Sequence, residues 1–296
     1  MSIEKINISK MSHDDWLAER RKGIGGSDAA GIIGLNAYTT PYSIWADKTG
    51  RVPPKEDNEA MRQGRDFEEY VAKRWEEKTG KKVRRCNFII RNSEYPFAHA
   101  NIDRDVVGEN AGLECKTTSV MNLKKFKNGS YPENYYVQCV HYMAITGAER
   151  WYLGVLVLGQ GFYDFVIERD EDEIEALMQA EAEFWTHVEN DTPPDFTGLD
   201  PDSEALKVVY RDSNSNSEAI QLLGREADIE NLLALKAQKK ELDKSIKYYE
   251  QVLQGDLQHN ETGVCGQYIV SWKTMSRAAH MVKASTFRKF DVKKAK

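Results

Sequence analysis

The feature that most constrains the fold of this chain is the alternation of helix-like and strand-like segments over its first 200 residues. A strand pattern at 113–118 is followed by a helix pattern at 133–146, and two further strand patterns, at 151–158 and 162–167, are joined by a Gly-Gln-Gly turn. Helices and strands that alternate in this way pack in layers around a sheet. The sequence therefore predicts an α/β (α+β) fold in which helices flank a central mixed β-sheet.

The same periodicities predict further elements before these strands. Helices are predicted at 27–35, across Trp45 and at 60–79. Strands are predicted at 83–91 and at 98–107. A short turn at 108–112, bounded by glycines, joins the last of these strands to the strand at 113–118. Two consecutive strands with so short a connection predict a hairpin at this point of the sheet.

Two loose stretches indicate a domain boundary near residue 200. Segment 192–203 contains three prolines, and segment 211–217 is polar throughout. Such stretches interrupt regular structure. We therefore divide the chain into a core at 1–200 and a C-terminal extension at 201–296.

The extension is predicted to consist of a long helix at 217–254 and a short β segment at 267–273. Apolar residues recur along the helix at intervals of seven, four and three, namely Leu235, Leu242, Ile246, Tyr249 and Leu253. Such spacing places them on one face. That face either packs on the core of its own chain or forms an interface with another subunit, and the sequence leaves both open.

Composition limits the class of protein. The chain has 296 residues, of which 41% are hydrophobic and 30% charged, as is usual for a globular protein. The longest apolar run, 151–158, is far shorter than the roughly 20 residues that span a bilayer, and no secretory signal begins the sequence. The four cysteines lack a Cys-x-x-Cys pair, which argues against disulfides and a zinc site. We predict a cytoplasmic protein without membrane contact.

Charge is distributed unevenly. Of the 41 Lys and Arg and 47 Asp and Glu residues, 16 basic and 13 acidic ones lie in 201–296, which leaves 25 basic and 34 acidic residues in 1–200. A basic tail at 271–296 has one acid, Asp291, and eight cations, Lys273, Arg277, Lys283, Arg288, Lys289, Lys293, Lys294 and Lys296. This tail is either a contact for phosphate groups or a solvated end.

Asp103 and the Glu114-Cys115-Lys116 stretch carry the chemistry. The two-residue period of a strand points Glu114 and Lys116 to the same face, so that two carboxylates and an ammonium converge on the predicted hairpin. Phosphodiester hydrolysis uses such a group, because carboxylate oxygens hold Mg²⁺ and the cation stabilises the charge that develops on the phosphate. A surface hairpin with an ordinary salt bridge would show the same spacing.

Further stretches, in the same order along the chain, make the pattern specific. They are Trp16-x3-Arg20 with the GIGGSDAA run at 23–30, Gly64-Arg65-Asp66-Phe67-Glu68, the Asp103 and Glu114-x-Lys116 elements, and Tyr135-Tyr136-Val137-Gln138. Together they resemble the YqaJ-like viral recombinase family, which shares the PD-(D/E)xK nuclease core with phage lambda exonuclease. The resemblance covers roughly half the chain.

The resemblance implies a role for each matching residue. Metal ligands would be Asp103, Glu114, the backbone carbonyl of Cys115 and Glu68 as an added carboxylate. Lys116 would activate the water and Gln138 would support it. Arg20 and Ser27 match family positions that hold a 5′-terminal phosphate, which suits a guanidinium and a hydroxyl near a helix N-terminus. The implied cofactor is Mg²⁺, with Mn²⁺ as a substitute.

The resemblance also implies an activity. The family member would be a 5′-to-3′ exonuclease that acts on double-stranded DNA ends and leaves single strand for a single-strand annealing recombinase. The setting would be phage-type recombination in a bacterial host cell, from a phage or prophage, with a ring-shaped homo-oligomer among relatives. A structure-specific or sequence-tolerant endonuclease uses the same active-site residues. A catalytically inactive DNA-binding protein is the remaining alternative.

Several residues depart from the pattern or fall outside it. Ile102 replaces the proline of the motif, and Val140 stands where many relatives have a second glutamine. Asp28 is predicted to face a helix N-terminus, and His99 to be a packed histidine. Core positions are predicted for the aromatic residues Trp45, Trp75, Tyr135, Tyr136, Trp151 and Tyr152.

Overall fold

A computed structural model describes residues 2–54, 56–213, 218–276 and 292. The chain forms two compact units, Met1–Tyr210 and Arg211–Lys296, so that the division falls ten residues after the one proposed from the sequence. Among the described residues, no helix has the length and apolarity needed to cross a membrane. Of the basic tail, only 271–276 and 292 are among the described residues, so that seven of its eight cations lie outside them.

The first unit contains helices and strands in alternation. Its helices are α1 (His13–Arg21), α2 (Gly26–Ile32), α3 (Pro41–Lys48), α4 (Glu59–Thr79), α5 (Glu133–Thr146), α6 (Glu171–Glu189) and α7 (Asp200–Val209). Its strands are β1 (Ile3–Asn7), β2 (Ile24–Gly25), β3 (Val83–Arg85), β4 (Phe88–Asn92), β5 (Ala98–Ala100), β6 (Arg104–Val106), β7 (Ala111–Thr118), β8 (Arg150–Val157) and β9 (Gly161–Glu168). A 3₁₀ segment, Val120–Gly129, connects β7 to α5.

The strands form two sheets. The larger has the order β3-β6-β7-β8-β9, in which β7 and β8 are parallel and the other neighbours antiparallel. The smaller has the order β1-β4-β5-β2, in which only β5 and β2 are parallel. The prediction of a mixed sheet flanked by helices is confirmed, and the structure adds the smaller sheet.

Two predicted strands are each divided in the structure. Segment 83–91 becomes β3 and β4, and segment 98–107 becomes β5 and β6. In both cases the first and second halves pair in different sheets, which local alternation of side chains does not reveal. Asp103 was therefore wrongly assigned to a strand, because it lies in the bend between β5 and β6.

Other elements differ at their ends or were missed. Helix α2 ends at Ile32, before Gly34 takes a left-handed conformation with φ of 78°. The sequence did not predict α1, α6, α7, β1 or the 3₁₀ segment as elements. In the second unit, α8 (Glu226–Leu257) begins later than the predicted helix, and β11 (Tyr268–Ser271) pairs with an unpredicted strand, β10 (Thr262–Cys265).

The core positions α5 against both α2 and the larger sheet. Most residues of α5 are buried, from Val137 to Ile145. A Cβ on Gly26 would lie 2.7 Å from the Tyr142 ring and 3.1 Å from Gln138 Cγ, so only glycine permits this approach of α2. Trp45, Trp75, Trp151 and Tyr152 are buried as predicted, whereas Tyr135 and Tyr136 are half-buried.

Candidate active site

Glu114 and Lys116 meet on one face of β7, as the two-residue period predicts. Lys116 Nζ lies 2.7 Å from Glu114 Oε1. Strand β7 is central in the larger sheet, and the Glu114 carboxylate is only 3% exposed. A carboxylate so buried requires compensating partners, because its desolvation is costly.

Gln138 of α5 supplies a second partner for both side chains. Its Nε2 donates to Glu114 Oε1 at 2.8 Å and to the Tyr142 hydroxyl at 2.8 Å, while its Oε1 accepts from Lys116 Nζ at 2.9 Å. These bonds fix the orientation of the amide. The result is a closed triangle of Glu114, Lys116 and Gln138.

The triangle favours the protonated, positively charged form of Lys116. Burial lowers the pKa of Lys116, but the charge and hydrogen bond of Glu114, with a contribution from Asp103, outweigh burial and raise the pKa above its ordinary value. The side chain therefore remains an ammonium at every pH at which the protein is expected to work. It acts as a fixed positive charge and hydrogen-bond donor.

Asp103 reaches the same place from the bend between β5 and β6. Its Oδ2 accepts a hydrogen bond of 2.8 Å from the backbone N–H of Cys115, which lies between Glu114 and Lys116. Burial raises the pKa of Asp103 well above its ordinary value, and the negative charges of Glu114 and Glu68 raise it further. Because the charge of Glu114 disfavours the ionisation of Asp103, a cation between the two carboxyl groups would be stabilising.

The oxygen atoms present fit a hard divalent cation. Glu114 Oε2 is buried and has no hydrogen-bond partner among the described residues, which leaves a lone pair directed into the site. Among those same residues, no cluster of three or more His, Cys, Asp or Glu side chains is arranged to hold a metal. A cation here would rely on Asp103 and Glu114, with the Cys115 carbonyl and water completing its oxygen shell.

Glu68 lies beside this pair but is engaged by arginines. Its Oε1 contacts Arg104 Nη1, and Arg85 Nη2 is 3.5 Å away. Arg104 is 2% exposed and also donates to the backbone carbonyl of Asp103 at 2.8 Å and to Glu69 at 3.0 Å. Arg104 thus ties α4 to the bend that carries Asp103. This role was not predicted from the sequence, in which the only signal is the position of Arg104 next to Asp103.

Arg20 and Ser27 also come together. Arg20 Nη2 donates to Ser27 Oγ at 3.0 Å, and the guanidinium lies 4.8 Å above the Trp16 ring. Ser27 is the second residue of α2, and the N-cap is Gly25, so Ser27 is not the N-cap. The pair stands at the N-terminal end of α2, where a helix favours an anion.

Asp28 and Lys48 stabilise the N-terminal end of α2 by a hydrogen bond and an ion pair. Asp28 accepts from the Gly25 backbone N–H at 3.0 Å, which confirms the predicted carboxylate at the helix N-terminus. Lys48 Nζ lies 2.6 Å from the same carboxylate. Burial raises the pKa of Asp28, but Lys48 and Arg20 lower it by more, to about 2. Lys48 was missed because it belongs to α3, twenty residues further along the chain.

His99 is a packed residue, as predicted. It is 1% exposed, and its ring lies over the positions that side chains on Gly23 and Gly25 would occupy, with Nδ1 and Nε2 at 3.1 and 3.3 Å from them. Burial lowers the pKa of His99 well below its ordinary value, and the charges of Lys48 and Arg20 lower it further. The two glycines therefore make room for a neutral imidazole.

The two groups of side chains are neighbours. Gly26 of α2 packs on the Gln138 side chain, and Ser27 follows it directly. The fold is that of a PD-(D/E)xK core, with Glu114 and Lys116 on a central strand of a mixed sheet and Asp103 held against that strand by the Cys115 N–H.

Comparison with known proteins gives the family. The chain belongs to the YqaJ family: residues 15–149 match the YqaJ-like viral recombinase domain. The chain is also 43% identical over 270 residues to the uncharacterized protein YqaJ of Bacillus subtilis (strain 168), an alignment covering 90% of this chain and 84% of that protein.

Solved structures share the fold. The alkaline exonuclease LHK-Exo of Laribacter hongkongensis superposes with a TM-score of 0.52 at 22% identity, over 60% of this chain and 93% of that one. The same enzyme in complex with dAMP gives 0.53 at 21% identity and the same coverage. The chain thus has the fold of the lambda-exonuclease-like nucleases.

Proposed function

We propose that this protein is a Mg²⁺-dependent 5′-to-3′ exonuclease that degrades one strand at the ends of double-stranded DNA. The observation that carries the proposal is the triangle of the buried Glu114 and Gln138 with the half-buried Lys116, and with Asp103 beside it. A charged group of this kind is costly to bury without a function. Membership of the YqaJ family and the shared fold of an alkaline exonuclease support it.

Each side chain has a distinct task in this reaction. Asp103 and Glu114 hold the cation, and Glu68 adds negative charge beside them. Bound Mg²⁺ would supply Lewis-acid stabilisation of the charge that develops on the phosphoryl oxygens. Lys116 offsets the same charge and orients the attacking water, and Gln138 keeps the lysine in place.

The site of the 5′-terminal phosphate is assigned to Arg20 and Ser27. Gly26 places these residues next to Gln138, so that a phosphate held there would leave the next phosphodiester near Lys116. This arrangement would favour cutting from a 5′ end. The product would be single strand for an annealing recombinase in phage-type recombination, and a ring of several copies would suit continuous digestion.

The proposal is tested with linear and covalently closed circular duplex of the same sequence. With Mg²⁺ or Mn²⁺, linear DNA should be degraded from its 5′ ends and the closed circle should persist. Ca²⁺ and chelator should both give no hydrolysis, because Ca²⁺ binds oxygen ligands loosely and activates water poorly. Degradation of the closed circle would instead identify an endonuclease, and no hydrolysis of either form with Mg²⁺ would leave a DNA-binding protein.

Arg20→Ala is predicted to reduce the preference for phosphorylated ends. If the guanidinium grips the terminal phosphate, its loss slows digestion of 5′-phosphorylated duplex much more than of 5′-hydroxyl duplex, because only the first substrate loses a charge-assisted hydrogen bond. The ratio of the initial digestion rate of the 5′-phosphorylated duplex to that of the 5′-hydroxyl duplex measures this preference. Lys22→Ala, which removes a cation two residues away, serves as the control. Equal slowing of both substrates by Arg20→Ala would contradict the assignment.

A further inference from the structure

The 3₁₀ segment Val120–Gly129, hereafter the lysine segment, presents three cations beside the candidate active site. Lys124, Lys125 and Lys127 are all exposed, and Met121 is 89% exposed. The segment begins two residues after the end of β7, the strand that carries Lys116. Its position therefore continues the surface of the site.

Apolar side chains fix the segment to the core. Phe126 is buried, and Leu123 packs on the same core cluster. In a 3₁₀ helix, residues three apart lie in one row, so that these two point inward while Met121 and Lys124 point outward. Asn122 Nδ2 donates to Thr118 Oγ1 at 2.8 Å and anchors the start of the segment. Lys124 and Lys125 therefore lie in the regular part of the segment, whereas Lys127 lies at the kink that follows, where its φ is −85° and its ψ is 152°.

A chain of aromatic contacts connects this surface to the catalytic lysine. The rings of Phe126 and Tyr135 stack at a centroid distance of 6.4 Å. Lys116 Nζ lies 5.0 Å from the centroid of the same Tyr135 ring. The lysine segment therefore packs, through Phe126, against the ring that Lys116 faces.

The lysines of this segment differ in their ion pairing from the other lysines near the site. Lys48 and Lys116 are neutralised by Asp28 and Glu114. Within the part of the chain that the structure describes, Lys124, Lys125 and Lys127 form no ion pair. Residues 1–200 carry 34 acidic against 25 basic residues, so three unneutralised cations in four positions stand out against an acidic surface.

We propose that the lysine segment binds the sugar-phosphate backbone of the DNA duplex that enters the active site. The surface is positive, polyanions release counterions on meeting it, and it adjoins the residues that would cut. The inference rests on the proposed function and adds to it a source of duplex affinity within the first unit. It differs from the basic tail, whose role as a phosphate contact stays a prediction.

The test measures DNA binding of a triple variant, Lys124→Gln with Lys125→Gln and Lys127→Gln, in a Lys116→Ala background. Fluorescence anisotropy with a 5′-phosphorylated duplex is recorded over a salt series. Each phosphate contact contributes about 0.9 to the slope of log binding constant against log salt, so the slope should fall by about two to three. Affinity at the lowest salt should fall at least about tenfold.

Two control variants separate this role from general effects. Lys240→Gln with Lys244→Gln and Lys247→Gln removes the same charge from exposed positions of α8 and should leave the slope unchanged. Met121→Ala alters the lysine segment without changing its charge and should also leave the slope unchanged. Single variants, Lys124→Gln and Lys127→Gln, each expected to lower the slope by about one, replace the triple variant if it fails to fold.

The outcomes separate the inference from the proposed function. An unchanged slope and affinity in the triple variant overturns the inference, even if the parent protein digests linear DNA. An equal loss in the α8 variant also overturns it, because net charge alone would then explain binding. A parent protein that neither cuts nor binds DNA would remove the proposed function and this inference together.

Discussion

Lys116→Ala is expected to lower the single-turnover rate of DNA hydrolysis by at least about 100-fold, the range found when one electrostatic donor is removed from an active site. The ammonium is within hydrogen-bonding distance of Glu114 and Gln138, and because its pKa is raised above the ordinary value it remains charged at neutral pH. Among the residues that the structure describes, no other Lys or Arg forms an ion pair or hydrogen bond with Glu114 or Gln138 that could replace it. Quenched-flow digestion of an end-labelled duplex, with the protein in excess, measures the rate directly.

The variant should remain folded and should still bind DNA. Lys116 is partly exposed and contributes its charge to the reaction rather than to core packing. Lys78→Ala is the matched control, because Lys78 pairs with Asp164 at an exposed position and has no role in the reaction. A Lys116→Ala protein with activity within about tenfold of the parent would exclude the lysine from catalysis.

Asp103→Asn is expected to abolish hydrolysis and, without divalent cations, to stabilise the protein at neutral pH. The ordinary pKa of this carboxyl, which applies to the unfolded chain, is 3.8, and burial with the charges of Glu114 and Glu68 raises the folded pKa well above it. The folded state then binds more protons than the unfolded state between these two values. The free energy of unfolding of the parent therefore falls as pH rises through that interval.

Asparagine cannot ionise, so the variant lacks the destabilisation that ionised Asp103 causes in the folded parent. Its amide oxygen can still accept a hydrogen bond from the Cys115 N–H. Thermal unfolding in chelator should give a higher Tm for the variant at pH 8, and the difference should vanish below the ordinary pKa of Asp103, where both forms of the parent are protonated. Mg²⁺ should stabilise the parent and not the variant, because a ligand stabilises only the state that binds it.

Asp57→Asn provides a control of opposite sign. A hydrogen bond from Arg65 lowers the pKa of Asp57, so its ionised form favours the folded state above its ordinary pKa, and the variant should not be stabilised at pH 8. A Tm for Asp103→Asn that equals or falls below that of the parent at pH 8 in chelator would contradict the buried like-charge pair at the site.

The local sequence was sufficient for the elements that carry most of the site. The alternation along β7 placed Glu114 and Lys116 on one face, and the helical period at 133–146 matched α5 with Gln138. Both features depend on side-chain spacing within one element, which backbone geometry fixes. Asp28 at a helix N-terminus and the packed His99 followed from equally local rules.

The tertiary structure decided which distant groups complete the site. Asp103 lies in a bend because β5 and β6 join different sheets, and only the fold brings its carboxylate to the Cys115 N–H. Arg104 reaches α4, and Lys48 reaches Asp28, across separations that no periodic pattern records. The polar groups of a chain are known from its sequence. The partners of a buried charged group depend on how elements far apart in the chain pack together. The same packing buries Phe126 and leaves Lys124, Lys125 and Lys127 exposed in the segment that follows the strand of the candidate active site.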